Sequence, residues 1–257
     1  MKNRNFISSK NIKFAFLSSI LISCILVACG GSGQSSTILT APVTAPEIVI
    51  KDVRPGNWII LGSSTASGTG ATTGNSWADL LRADLKDSGA SVTNLARGGT
   101  VSYAGLASGT ISPSDRPVAD SKINISQAIS RDPVAIIISY PTNDIASGFR
   151  PEETIRNINS IRISAMNAGL PAIVISTQPR NFTKPQLDNL QEIDRQLATD
   201  VRGCFVSVRE SLGGVDGKLL SKFDSGDGIH PNDAGHRHIF TKLLATIKSG
   251  NCIRQIP

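Results

Sequence analysis

Asp227-Gly228-Ile229-His230-Pro231 puts a carboxylate three residues before a histidine, in a loop bracketed by glycine and proline. A serine nucleophile needs such a pair: an imidazole to take its proton and a carboxylate to orient that imidazole. A serine-rich turn lies far upstream, in Leu61-Gly62-Ser63-Ser64-Thr65-Ala66-Ser67-Gly68. It follows Trp58-Ile59-Ile60-Leu61, an apolar run that reads as a buried strand. Strand, sharp turn and serine together present a hydroxyl at the end of a parallel sheet. Ser63, Ser64 and Ser67 all compete for the role, and any one alone would read as a turn-filling residue.

These residues must be positioned by regular elements. From Trp58 onward strand and helix signals alternate. Strands are expected at 58–61, 92–95, 134–139, 172–176 and 205–208. The most secure is Val134–Ser139, a run of β-branched residues. Helices are expected at 76–87, 124–131, 152–168, 186–200 and 232–248. In the first of these Trp77, Leu80, Leu81 and Leu85 share a face, Ser76 or Asn75 can cap it, and Gly89 can stop it. Five short apolar strands separated by helices predict an α/β fold with a parallel sheet covered on both faces. Ligands of such sheets sit beyond the carboxyl ends of the strands. Ser64, Gly98-Gly99 and Asn143 each follow such an end by a few residues.

Four blocks in order carry a resemblance. They are Gly62-Ser63-Ser64, Asn94-Leu95-Ala96-Arg97-Gly98-Gly99, Pro141-Thr142-Asn143-Asp144 and Asp227-Gly228-Ile229-His230. In order and spacing the chain resembles the SGNH (GDSL-type) serine hydrolase family from Gly62 to His230. The resemblance implies a three-layer, flavodoxin-like sandwich with a five-stranded parallel sheet. It also implies Ser64 as nucleophile, His230 as general base and Asp227 as the orienting acid. The oxyanion hole would be the backbone N–H groups of Ser64 and Gly99 and the side-chain amide of Asn143. Two positions depart from the family pattern: Ser63 stands where the family has Asp, and Pro141 where it has Gly. No cofactor is implied.

Other readings of the same residues remain. Asn143 could cap a turn, Asp227 could satisfy backbone donors, and His230 could be structural. Asp227, His230, Asp233 and His236 form an i, i+3 ladder of possible metal ligands. The helix start at Asn232 makes Asp233 a first-turn residue instead, and no metal is expected. His236 and His238 are expected to be helix-packing or surface residues.

The N-terminus reads as an address. Lys2, Arg4, Lys10 and Lys13 precede an apolar stretch, Phe14 to Val27, that ends Leu26-Val27-Ala28-Cys29-Gly30. This resembles a bacterial lipobox, with residues 1–28 a signal peptide and Cys29 lipidated. An ordinary secretory signal is the alternative. Residues 29–50 read as a flexible Gly/Ser/Thr/Pro-rich tether, and 51–257 as the hydrolase domain. The expectation is an exported lipoprotein held at a membrane by its lipid, by analogy the outer membrane facing the periplasm. Such a compartment permits a disulfide between Cys204 and Cys252. The full chain carries +6; removing the four signal cations leaves +2. No lysine/arginine cluster with interleaved aromatics occurs, so no nucleic-acid partner is expected. A monomer is expected.

The reaction implied is two-step ester hydrolysis through an acyl-Ser64 intermediate. The substrate would be a small-molecule, lipid or polysaccharide ester, with loops 65–73 and 101–122 lining its pocket. A carbohydrate O-deacetylase is the competing activity, and the aromatic content of 5% leans slightly away from it. A binding module with a decayed site is the non-enzymatic alternative.

Overall fold

The computed structural model describes residues 53–140, 142–249 and 251–252. The signal segment, Cys29, the tether and Pro141 lie outside them. The elements in chain order are β1 (Gly56–Gly62), α1 (Ser64–Ser67), α2 (Trp77–Lys86), β2 (Ala90–Asn94), α3 (Ile125–Ile129), β3 (Pro133–Ser139) and α4 (Asn143–Ala146). There follow α5 (Pro151–Asn167), β4 (Ala172–Ile175), α6 (Lys184–Val201), β5 (Phe205–Val206), α7 (Arg209–Leu212) and α8 (Asp233–Lys248).

The five strands form one sheet in the order β2-β1-β3-β4-β5, and every pairing is parallel. Helices cover both faces: α2 packs on α8, and α5 packs on α3 and α6. Trp58 to Leu61 in β1 and Ile136 to Ile138 in β3 are fully buried. That is why these strands read as continuous apolar runs rather than alternating ones. The order places β1 beside β3, where the winding of the chain reverses. At such a point the connections leave on opposite faces and open a crevice at the strand ends. Ser64 follows β1 and Asn143 follows β3, so both stand at this crevice.

All five expected strands and all five expected helices are present, with shifted ends. Helix α2 begins where Ser76 accepts a hydrogen bond from the Asp79 N–H. Strand β5 is shorter than the apolar run 205–208 suggests. Its ladder with β4 stops at Val206, because the next donor, the Val208 N–H, bonds to the Ser176 hydroxyl instead. The short helices α1, α4 and α7 span about one turn each, too little for any periodic signal to show in sequence. Cys204 and Cys252 form a disulfide that ties the C-terminal end to the base of β5.

The long connection from β2 to β3 is held down by a partly buried ion pair. Arg116 donates to both carboxylate oxygens of Glu153, on α5, at 2.8 and 3.1 Å. Tyr103 adds a third hydrogen bond, and Arg116 lies 4.4 Å from the Phe149 ring centroid. The Arg116 guanidinium holds the Glu153 carboxyl at about 2, outweighing the upward push of burial.

Candidate active site

Gly62 ends β1, and its position explains the turn. A Cβ there would stand 2.4 Å from the Ser139 carbonyl oxygen and 2.7 Å from the Ala66 Cβ, so only glycine fits. The chain passes this close contact, the Ser63 N–H bonds back to the Ser139 oxygen at 3.1 Å, and Ser64 opens α1. Ser63 is buried against the sheet; Ser64 is half-buried.

The Ser64 hydroxyl meets a histidine that lies 166 residues away in the chain. Ser64 Oγ is 2.9 Å from His230 Nε2. His230 Nδ1 is 2.6 Å from Asp227 Oδ2. The other carboxylate oxygen, Asp227 Oδ1, accepts from the backbone N–H groups of Ile229 and His230, both at 2.8 Å. Burial alone would raise the Asp227 carboxyl. The N–H and imidazole of His230 and the N–H of Ile229 outweigh it and hold the carboxyl at about 2. Asp227 is therefore ionised and accepts a hydrogen bond from Nδ1–H, which leaves Nε2 as an acceptor facing Ser64.

The loop carrying this pair is fixed from several sides. Asp224 accepts from the Gly226 and Gly228 N–H groups, and the Ser225 N–H donates to the His230 oxygen. Gln178 Nε2 donates to the Ile229 oxygen at 2.7 Å, and the Asn181 N–H donates to the Gly228 oxygen at 2.8 Å. Gly70 closes the other side. With φ +95°, a conformation that L side chains rarely adopt, it lets the loop after α1 lie against His230. A Cβ there would stand 2.2 Å from the Pro231 oxygen and 2.9 Å from the His230 Cβ.

The second and third blocks converge on the same turn. Arg97 N–H and the Thr100 hydroxyl both donate to the Gly62 oxygen, at 3.1 Å each. A Cβ on Gly98 would lie 3.9 Å from the Ser64 Cβ, so Gly98 runs beside the Ser64 side chain. Asn143 Nδ2 donates to the Thr100 oxygen at 2.9 Å. That contact uses one of its two amide hydrogens and ties the side chain to the residue after Gly99. The neighbouring Asp144 is buried and accepts from the Ser102 N–H and hydroxyl and from Thr154. It anchors α4 and, with it, Asn143.

The Asp227, His230, Asp233, His236 ladder divides between different partners. Asp233 opens α8 and takes both the N–H and the hydroxyl of Thr72, at 2.7 Å each. His236 is fully buried; its Nδ1 accepts from the Trp77 N–H, so Nε2 carries the proton and donates to the Thr69 oxygen. His238 bonds to the Ser211 hydroxyl. Among the described residues no three His, Cys, Asp or Glu side chains are placed to hold a metal ion.

The supporting residues Gly70, Gln178 and Asn181 carry no signal in sequence. They are polar or small residues in loops, and only the packing of one loop against another assigns them a partner.

The GDSL-like Lipase/Acylhydrolase family matches residues 60–238, a span that includes every residue of the site. Solved structures share the fold. TesA is 22% identical, with a TM-score of 0.58 over 75% of this chain and 98% of that one. A psychrotrophic esterase, EstA, from a Pseudoalteromonas species is 15% identical, with a TM-score of 0.56 over 75% and 97%. A GDSL-like lipase from Bacteroides thetaiotaomicron is 16% identical, with a TM-score of 0.56 over 75% and 88%. No curated protein sequence matches the chain.

Proposed function

The chain belongs to the GDSL-like lipase/acylhydrolase family and is a serine ester hydrolase, and from that premise we propose that Ser64, His230 and Asp227 form its catalytic triad. The contact that carries this reading is Ser64 Oγ to His230 Nε2 at 2.9 Å, together with Nδ1 to Asp227 at 2.6 Å. Ser64 Oγ attacks the acyl carbon while Nε2 takes its proton. The imidazolium so formed is stabilised by the ionised Asp227, which does not itself take a proton. The tetrahedral oxyanion is bound by the N–H groups of Ser64 and Gly99 and the remaining amide hydrogen of Asn143. As it collapses, His230 gives the proton to the departing alcohol and an acyl-Ser64 ester remains. Water enters, His230 takes its proton in turn, and the acid leaves as Ser64 regains its hydrogen.

A fluorophosphonate probe tests the nucleophile directly. It is expected to label one residue, Ser64, as read by mass spectrometry of the digested protein. Labelling at Ser63 or Ser67 would overturn the assignment. The neighbouring position of Ser63 makes this a real discrimination, since the two serines share one turn.

Asn143→Ala is expected to lower kcat by about 10²-fold with little change in KM, the effect of removing one oxyanion donor. The reason for the split is that the amide meets charge only as it develops on the oxygen. Steady-state kinetics on p-nitrophenyl acetate read it. A loss below about tenfold would make Asn143 a brace for Thr100 and leave the oxyanion to the backbone donors.

A further inference from the structure

The loop after β4 brings a cation to the site that the triad chemistry does not use. Its anchors are strong. The Thr177 N–H and hydroxyl bond to Asp194 at 2.8 and 2.9 Å, Gln178 reaches the Ile229 oxygen, and the Asn181 N–H reaches the Gly228 oxygen. Arg180 lies between these fixed neighbours. Its guanidinium rests 4.8 Å from the Phe182 ring centroid, an arrangement that holds the plane of the group. Nη1 stands 3.5 Å from both Thr142 Oγ1 and Asn143 Oδ1.

Those two contacts are at the long limit of a hydrogen bond. A guanidinium has five N–H donors in a fixed fork, and among the described residues Nη1 alone is in hydrogen-bond contact with other side chains. Among the described residues no carboxylate forms an ion pair with Arg180. The carboxylate that acts on it electrostatically, Asp227, is already committed to His230. Arg180 is thus half-buried, pre-positioned and charged, with donors unspent beside Asn143. Holding a cation in that state is unfavourable unless something else completes it.

We propose that Arg180 is a substrate-binding residue that selects esters bearing an anionic group, a carboxylate or a phosphate, close to the scissile bond. The proposal rests on the triad and oxyanion reading above, because Asn143 defines where the ester sits. The fork matches both anions in a two-point contact, which a single ammonium cannot make. A side chain already locked by its loop loses little freedom on binding, which favours discrimination.

Two matched pairs of esters test it and separate the two sources of charge. On the acyl side, p-nitrophenyl butyrate is compared with p-nitrophenyl hemisuccinate. On the alcohol side, glycerol monobutyrate is compared with its glycerol 3-phosphate counterpart. The wild-type protein is expected to favour the anionic member of one pair by about tenfold or more in kcat/KM, the scale of a charge-assisted contact. In R180Q that ratio is expected to fall towards one, chiefly through KM of the charged ester, and R180K is expected to restore part of it. Fluorophosphonate labelling of each variant at Ser64 reports that the site is folded. Absence of a preference in both pairs, or a ratio unchanged in R180Q, would overturn the proposal. Labelling at Ser64 in that case leaves the triad reading standing; no labelling and no turnover of any ester would remove both.

Discussion

Ser64→Ala is expected to lower ester turnover by more than about 10⁴-fold, down to the rate that binding and oxyanion donors sustain alone. The hydroxyl is the atom that forms the new bond to carbon, and an alanine methyl cannot do so. The fold is expected to survive. The contact of Ser64 Oγ is with His230 Nε2, and losing one such neutral hydrogen bond at a half-buried site costs about 1 kcal/mol. The carbonyl of Ser64, which holds the Ser67 hydroxyl and the Thr69 N–H, is unaffected. Hydrolysis of p-nitrophenyl acetate beside a thermal melt separates the two effects. Turnover within tenfold of the wild type, in a protein that melts normally, would remove Ser64 from the mechanism.

Asp227→Asn is expected to lower kcat by about 10⁴-fold while fluorophosphonate still reacts slowly at Ser64. An asparagine amide would donate to His230 Nδ1. The imidazole proton would then sit on Nε2, which could no longer accept from Ser64 Oγ. The backbone contacts of Oδ1 to Ile229 and His230 can persist in the amide, so the loop should keep its shape. The pH dependence follows from the same carboxyl. Its folded-state pKa is lowered from 3.8 to about 2, so the ionised form contributes stability that is complete above about 4 and lost as pH falls through about 2. Asp227 therefore does not titrate in an assay above about pH 4, and this carboxyl is expected to add no step to the pH dependence of wild-type kcat/KM above that pH. A step in the pH profile above about pH 4 that disappears in Asp227→Asn, or a loss below about 100-fold in that variant, would contradict the assigned role.

How much of this was legible beforehand differs from residue to residue. The strands at 58–61 and 134–139 were legible because both faces of each are covered, which demands an unbroken apolar run. The end of β5 was not, because the competitor for its ladder was a side chain, Ser176 Oγ, just past the end of β4. The roles of Gly99 and Asn143 came from the four-block resemblance, while the link from Asn143 to Thr100 is visible only when β2 and β3 flank β1 in one sheet. The ladder of Asp227, His230, Asp233 and His236 looked like one cluster along the chain. It separates in space because Asp233 and His236 lie on α8 and face the loop between α1 and α2.

The sequence by itself determined the parallel α/β sheet and the pairing of Asp227 with His230. Both are local matters. Burial on two faces is written in each strand's own composition, and a turn of three residues keeps a carboxylate within reach of the imidazole that follows it. The four-block resemblance pointed to Ser64 among three neighbouring serines, and the tertiary structure gives the physical reason that this one meets the imidazole. Ser63 is buried, Ser67 bonds to the Ser64 carbonyl, and Ser64 faces His230. That choice depends on the close contact at Gly62, on the first residue of a one-turn helix, and on Gly70 letting a loop from the far end of the chain approach. Tertiary structure alone decided that Arg180 stands beside Asn143, because the order β1-β3-β4 sets the loop after β4 next to the one after β3. Contacts of that kind join residues whose spacing along the chain bears no relation to their distance in space, so no local pattern can carry them.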